Sequence, residues 1–142
     1  MTTRTRALLT SLCAAALVSV AASCDDDDDD TDPTPSSPLV GTWDATSLTT
    51  PTGDAIGNGM SLTAVVGSTG NISLNVVGDQ LGLCNPGPDC SVTGTWTSTA
   101  STITITSGTD VTTLNWTMAG ETMTWTGTVE GVATTIVFDK DD

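Results

Sequence analysis

From Leu39 onward, apolar and polar residues alternate with a period of two, the pattern of strands with one buried face. Gly, Asp, Asn and Ser clusters separate these runs and mark turns. No window shows a helical stripe with capping residues. The pattern therefore predicts one all-β domain over residues 39–142. Its eight predicted strands are Leu39–Thr49, Met60–Gly67, Asn71–Val77, Ser91–Ser98, Ser101–Thr106, Asp110–Met118, Glu121–Gly127 and Val132–Phe138.

The alternation also assigns each strand an apolar inner face and a threonine-rich outer face. In the fifth predicted strand, for example, Ile103 and Ile105 share one side, and threonines occupy the other. A two-residue turn at Ala119-Gly120 is expected to pair Trp116 with Met123 and Leu114 with Trp125. The fourth predicted strand divides in the same way. Val92, Gly94 and Trp96 face inward, and Thr93, Thr95 and Thr97 face outward.

The first residues of the chain have the composition of an export signal. Arg4 and Arg6 precede an uncharged apolar run, Ala7–Ser23, which ends at Cys24. A basic start, a short apolar core and small residues before the boundary predict a signal peptide over residues 1–23. The alternative is an uncleaved membrane helix with the two arginines inside, because the run approaches the length needed to span a bilayer.

The boundary itself resembles a known processing site. Val20-Ala21-Ala22-Ser23-Cys24 resembles the lipobox of bacterial lipoproteins, although the usual leucine is Ala21 here. The resemblance implies that Cys24 becomes the acylated first residue of the mature protein, with acyl chains such as palmitate inserted in a lipid bilayer. Several acyl chains anchor a protein stably. The expected location is the bacterial cell envelope, facing the periplasm or the cell exterior.

The segment after the lipidated cysteine is expected to be a tether. Residues 24–38 consist of Cys24, the acidic run Asp25–Asp30, Asp32, and Thr, Pro and Ser residues, with no large apolar side chain. Such a composition predicts disorder. The acidic run also resembles export or sorting signals of some bacterial lipoproteins. The alternative is a solvated spacer that keeps the domain away from an anionic surface.

The charge balance excludes one class of partner. All 17 acidic residues follow Cys24, and Lys140 is the only cationic side chain after it. Such a chain repels phosphates and anionic headgroups. Nucleic-acid binding is therefore not expected.

The remaining cysteines predict a disulfide. Cys84 and Cys90 bracket a turn-rich loop in a protein expected to mature where disulfides persist. The chain has no histidine, so two thiols alone do not predict a metal site. No metal and no cofactor is expected.

The predicted domain resembles a family of small barrels. Leu39-Val40-Gly41-Thr42-Trp43 resembles the Gly-x-Trp opening of lipocalin-like domains, and Gly94-Thr95-Trp96 and Phe138-Asp139-Lys140 are similar to small bacterial lipocalin-like lipoproteins. The resemblance implies an eight-stranded antiparallel up-and-down barrel, with a β-sandwich as the alternative. In lipocalins an arginine near the last strand covers the motif tryptophan. Here Lys140 is the residue expected to cover Trp43.

An up-and-down order sorts the loops by end. Long acidic loops are expected at one mouth, and the short turns are expected at the other end, together with the entry of the tether. The mouth should then point away from the membrane. The candidate acidic mouth residues are Asp54, Asp79, Asp89, Asp110 and Glu130.

Two non-enzymatic functions follow from this arrangement. In the first, the barrel binds a small neutral or cationic apolar ligand behind the acidic mouth. The alternative is a structural or protein-interaction module of the envelope whose barrel fills itself with side chains. No catalytic residue is expected, because histidine and tyrosine are absent and the thiols are expected to be oxidised. The candidate ligand-lining residues are Trp43, Met60, Leu74, Trp96, Trp116 and Trp125.

Overall fold

The computed structural model describes residues 37–142, so the predicted signal peptide, Cys24 and almost all of the predicted tether lie outside the described residues. The described part contains nine strands and no helix, and therefore no helix that could cross a membrane. The strands are β1 Gly41–Thr50, β2 Gly53–Asp54, β3 Ser61–Val66, β4 Asn71–Val77, β5 Cys90–Ser98, β6 Thr102–Ser107, β7 Asp110–Ala119, β8 Thr122–Val129 and β9 Val132–Lys140.

The strands form a closed antiparallel barrel. Each long strand pairs with the next along the chain, and β9 pairs back with β1, so no long strand is left at an edge. The two-residue strand β2 adds only to the end of β1. The predicted eight-stranded up-and-down barrel is confirmed, and the sandwich alternative is wrong.

All eight predicted strands are present, and their ends shift by only one or two residues. The first strand begins at Gly41 because Leu39 lies in a turn, where its side chain is fully buried. The extra strand β2 was not predicted, since two residues are too short to carry a periodic pattern.

The inward and outward faces follow the predicted alternation in most strands. Ile103 of β6, Leu114 of β7 and Trp125 of β8 are buried, and the threonines between them face outward. In β1 the alternation is interrupted by a register shift between Ala45 and Ser47. Such a bulge moves the inward face by one position.

The β7–β8 hairpin corrects the predicted register. Trp116 pairs with Trp125, and Met118 pairs with Met123, because the two-residue loop is Gly120–Glu121 rather than Ala119–Gly120. Gly120 has a φ of 63°, which suits the first position of a tight hairpin loop. The slip is two residues along one strand, so every side chain keeps its predicted face.

The barrel interior is filled by its own side chains. Trp125 and Phe138 pack edge to face, with their ring centroids 4.8 Å apart. The largest fully buried side chains are Trp43, Trp125, Phe138, Leu39, Ile103, Met123 and Val66. The core is therefore a packed aromatic and aliphatic cluster, not a cleft.

Candidate functional site

The up-and-down order sorts the loops by end as the sequence predicts. One end, called the mouth end below, is formed by the four connections 51–60, 78–89, 108–109 and 130–131. The other end, called the tether end, is formed by connections 67–70, 99–101 and 120–121, and β1 begins there. The five predicted acidic mouth residues all belong to the mouth end.

Asp54 uses its carboxylate to organise its own loop. Oδ1 accepts hydrogen bonds from the backbone N–H of Leu48 and Ile56, each at 3.0 Å, and Oδ2 accepts one from the Ser47 hydroxyl at 3.2 Å. The Leu48 N–H has the largest effect on the pKa of Asp54, which lies below its ordinary value although partial desolvation opposes the shift. This carboxylate is a fixed part of loop 51–60.

Asp79 and Asp89 have a similar role in loop 78–89. Asp79 accepts hydrogen bonds from the backbone N–H of Leu81 at 2.8 Å and of Cys84 at 2.7 Å. Asp89 accepts one from the Gly78 N–H at 2.8 Å. Both carboxylates are therefore directed toward backbone groups of their own loop.

Asp110 and Glu130 complete the predicted set. Asp110 begins β7, and Glu130 occupies a two-residue hairpin loop with a left-handed φ of 49°. Within residues 37–142 neither carboxylate accepts a hydrogen bond that meets ordinary geometry. Of the five predicted acidic mouth residues, Asp110 and Glu130 are therefore the two whose carboxylates are not bonded to their own loops in the described barrel. The signal in the sequence was the Asx-turn tendency of aspartate, which bonds its own backbone two residues on.

Apolar residues close the mouth end. Ala55 and Met60 from loop 51–60 are buried, as is Cys84 from loop 78–89, and Leu81 and Leu83 pack partly buried against the same core. The predicted disulfide between Cys84 and Cys90 is confirmed, with the Cα atoms 5.5 Å apart. It ties loop 78–89 to the start of β5.

A hydrogen bond joins the two closing loops, because the Gln80 side-chain amide donates to the Asn58 carbonyl at 2.7 Å. A small cavity of about 130 Å³ lies between them. It is lined by Thr52, Gly53, Ala55, Asn58, Gln80 and Leu81. This space holds only a few water-sized groups.

The six predicted ligand-lining residues point into the core. Trp43, Met60 and Trp125 are at most 2% exposed, and Leu74, Trp96 and Trp116 are partly buried against the same cluster. They line neither the cavity between loops 51–60 and 78–89 nor the groove on the outer wall across β3, β4 and β5. They act as core residues in this conformation.

The four tryptophans differ in whether the indole N–H has a hydrogen-bond partner. Trp43 donates to the Leu39 carbonyl at 2.8 Å, Trp96 to the Gly67 carbonyl at 3.0 Å, and Trp116 to the Thr99 carbonyl at 3.1 Å. Trp125 differs, because its buried Nε1 has no hydrogen-bond partner within the described residues. A buried donor without a partner costs about 1–3 kcal/mol.

Lys140 covers the motif tryptophan, as the family resemblance implies. The two residues are cross-strand partners in β9 and β1, and the ammonium nitrogen lies 5.9 Å from the Trp43 ring centroid. This distance is within the range of a cation–π contact. Lys140, the single cationic residue of the predicted domain, therefore lies at the tether end and not at the mouth end.

The structure also contains a surface groove that the sequence reasoning missed. It lies on the outer wall across β3, β4 and β5 and has a volume of about 510 Å³. It is lined by Val65, Gly67, Asn71, Ile72, Ser73, Thr93, Gly94 and Thr95. Val65, Asn71, Ser73, Thr93 and Thr95 are the outward side chains of this set, and alternation marks them only as solvent-facing, so a depression among them leaves no periodic signal.

Metal binding has no support in the described barrel, where no group of three or more His, Cys, Asp or Glu side chains could hold an ion.

The sequence matches no protein-family model and no curated protein. Among solved structures, the chain is similar to the crystal structure of fatty-acid-binding protein 1 from Echinococcus granulosus. The alignment covers 73% of this chain and 98% of that one, with 15% identity and a TM-score of 0.43. A likeness at this level carries no argument about ligand or function.

Proposed function

We propose that this protein is a lipid-anchored lipoprotein of the bacterial cell envelope whose barrel is a non-enzymatic binding module that acts through its outer surface. The anchoring part of the proposal rests on the sequence around Cys24. The Cys84–Cys90 disulfide supports maturation outside the reducing cytosol. The lipid bilayer is thus its first partner.

The packed interior is the observation that favours binding on the outer surface over binding inside the barrel. A ligand inside the barrel would have to displace side chains such as Trp125 and Phe138, which are at most 1% exposed. Full burial of each large apolar side chain is worth about 1.5–3 kcal/mol, and the ligand would have to replace that packing. Surface binding requires no such rearrangement.

The available chemistry supports a role without catalysis. The sequence has no histidine and no tyrosine, the ammonium group of Lys140 lies over Trp43, and Cys84 and Cys90 are joined. Nucleophile and general-base pairs therefore lack their usual members.

A second candidate function is internal binding of a small neutral or cationic apolar ligand. One observation favours it, because the buried Trp125 Nε1 is a donor without a partner in the described barrel. A ligand with a hydrogen-bond acceptor would satisfy that donor and remove its cost.

Native mass spectrometry of the full-length protein, purified from its own cells in detergent, tests the two candidates. We expect the mass of the acylated, disulfide-bonded chain with no other molecule attached. A stoichiometric adduct that leaves on mild activation would overturn the self-filled barrel and favour the second candidate. In that case Trp125→Phe, which keeps an aromatic ring but removes the N–H, should reduce the adduct several-fold.

A further inference from the structure

The outer groove is held in shape by the backbone. The Gly67 N–H donates to the Asn71 carbonyl at 2.8 Å, and the Gly67 carbonyl accepts the Trp96 indole N–H at 3.0 Å. Gly67 has no side chain to fill the depression, and a Cβ there would lie 3.2 Å from the Asn71 carbonyl oxygen. The groove is therefore largely formed before any partner arrives.

The wall around the groove carries almost no charge. Across the six strands β3 to β8, the only charged residue is Asp110, at the mouth end of β7. The whole chain has a formal net charge of −14. The other described acids lie in loops, at the C-terminal end, or in β1, β2 and β9. The wall offers no carboxylate beside the groove to pair with a cation, and the rest of so acidic a surface repels anions, so the groove favours an uncharged partner.

The groove offers hydroxyl and amide groups beside methyl groups. The hydroxyls of Thr93 and Thr95 make no hydrogen bond within the described residues, and the Asn71 amide nitrogen donates to Thr69 at 3.2 Å, which leaves its oxygen as an acceptor. Val65, which is 45% exposed, adds an aliphatic side to the same depression. Hydroxyls both donate and accept, so this lining matches a partner rich in hydroxyls.

Two other occupants fit the described barrel less well. The closed sheet has no long free edge, so an extended peptide cannot add as a further strand. A second copy would bring two convex walls together along a narrow contact, whereas stable interfaces bury about 1,200–2,000 Å². A slender chain can lie along the groove without either difficulty.

We infer that the groove across β3, β4 and β5 binds a neutral polysaccharide chain. The inference rests on the proposed function, because it names the partner class of the outer surface. It places the binding groups on residues Val65, Asn71, Ser73, Thr93 and Thr95.

Affinity electrophoresis of the full-length protein in detergent, through native gels that contain dextran, mannan or soluble starch, tests this inference. We expect at least one of these neutral polymers to retard the protein in proportion to its concentration, and dextran sulfate not to do so. The double variant Thr93→Asp, Thr95→Asp should weaken retardation about tenfold or more, because carboxylates would replace the groove hydroxyls.

The matched control is Thr126→Asp, Thr128→Asp, which adds the same charge at exposed outward positions of β8, away from the groove. This variant should be retarded like the unmodified protein. No retardation by any of the three neutral polymers, or equal loss in both variants, would overturn the inference. Self-association in sedimentation, lost only in the groove variant and without retardation by the polymers, would assign the groove to a second copy instead. Either result leaves the native mass measurement of the interior unaffected, so the two proposals fail separately.

Discussion

The carboxylates at the mouth end differ in how many hydrogen bonds they accept, and Asp54 accepts the most. It accepts hydrogen bonds from two backbone N–H groups at 3.0 Å and one hydroxyl at 3.2 Å, and its pKa is lowered chiefly by the Leu48 N–H. A lowered pKa in the folded state means that the ionised form stabilises folding. That contribution is complete above the unfolded pKa of about 4 and is lost as the pH falls through the folded value.

We therefore predict that Asp54→Asn lowers the urea midpoint of unfolding at about pH 7, and that this difference is smaller at about pH 2, below the ordinary aspartate pKa of about 4. Urea unfolding followed by tryptophan fluorescence at both pH values measures the effect. Asp110→Asn is the control, since it removes an acid from the same end whose carboxylate accepts no hydrogen bond in the described barrel. A difference between Asp54→Asn and the unmodified protein that stays constant with pH would contradict the prediction.

At Gly94, strands β5 and β6 lie so close together that there is no room for a side chain. An added Cβ would overlap the Thr106 carbonyl oxygen and lie 3.0 Å from the Thr106 carbonyl carbon. These are backbone atoms, which cannot rotate away as a side chain could. The strands would have to separate at this position.

Gly94→Ala should accordingly destabilise the barrel by about 3 kcal/mol, the upper end of the typical range for overpacking. Equilibrium unfolding, or failure to recover soluble protein, would show the effect. Gly87→Ala is the matched control, because an added Cβ there meets nothing within 4 Å, and it should stay within about 0.5 kcal/mol of the unmodified protein. Equal stability of the two variants would show that β6 can move away from β5 at little cost.

At the scale of the strands, the period-two pattern of the sequence predicts some features of the barrel and not others. It predicts the existence and faces of all eight long strands, because burial of one face determines them. It does not resolve the β7–β8 register, since the slip to Trp116 opposite Trp125 keeps each face unchanged. The bulge in β1 is also hidden, because one extra residue resembles ordinary variation in so short a run.

The candidate site was less predictable than the fold for a related reason. The order of the strands brought Asp54, Asp79 and Asp89 to one end, as expected, but their carboxylates bond backbone groups of their own loops. That choice depends on local loop geometry, which sequence separation does not determine. The groove across β3, β4 and β5 depends on how these three strands curve together, and the residue pattern of a single strand does not predict that curvature.

The molecule as a whole combines a closed barrel with a separate predicted anchor. Strand β1 begins at the tether end, and the buried Leu39 with Trp43 and Lys140 closes the barrel there. The apolar parts of loops 51–60 and 78–89 close the opposite end. With both ends closed, the outer wall is the barrel surface that our proposal assigns to partners.

Anchoring gives the prediction for the whole molecule. If Cys24 is the acylated residue, Cys24→Ser should prevent acylation, and nearly all of the protein should leave the membrane fraction, because the acyl chains supply the membrane affinity. Fractionation with immunodetection, together with the mass of the intact chain, measures this. Cys13→Ser is the matched control: Cys13 lies inside the predicted signal peptide, so its replacement should leave anchoring unchanged. A Cys24→Ser protein that stays in the membrane at its full, uncleaved mass would instead identify Ala7–Ser23 as a membrane helix.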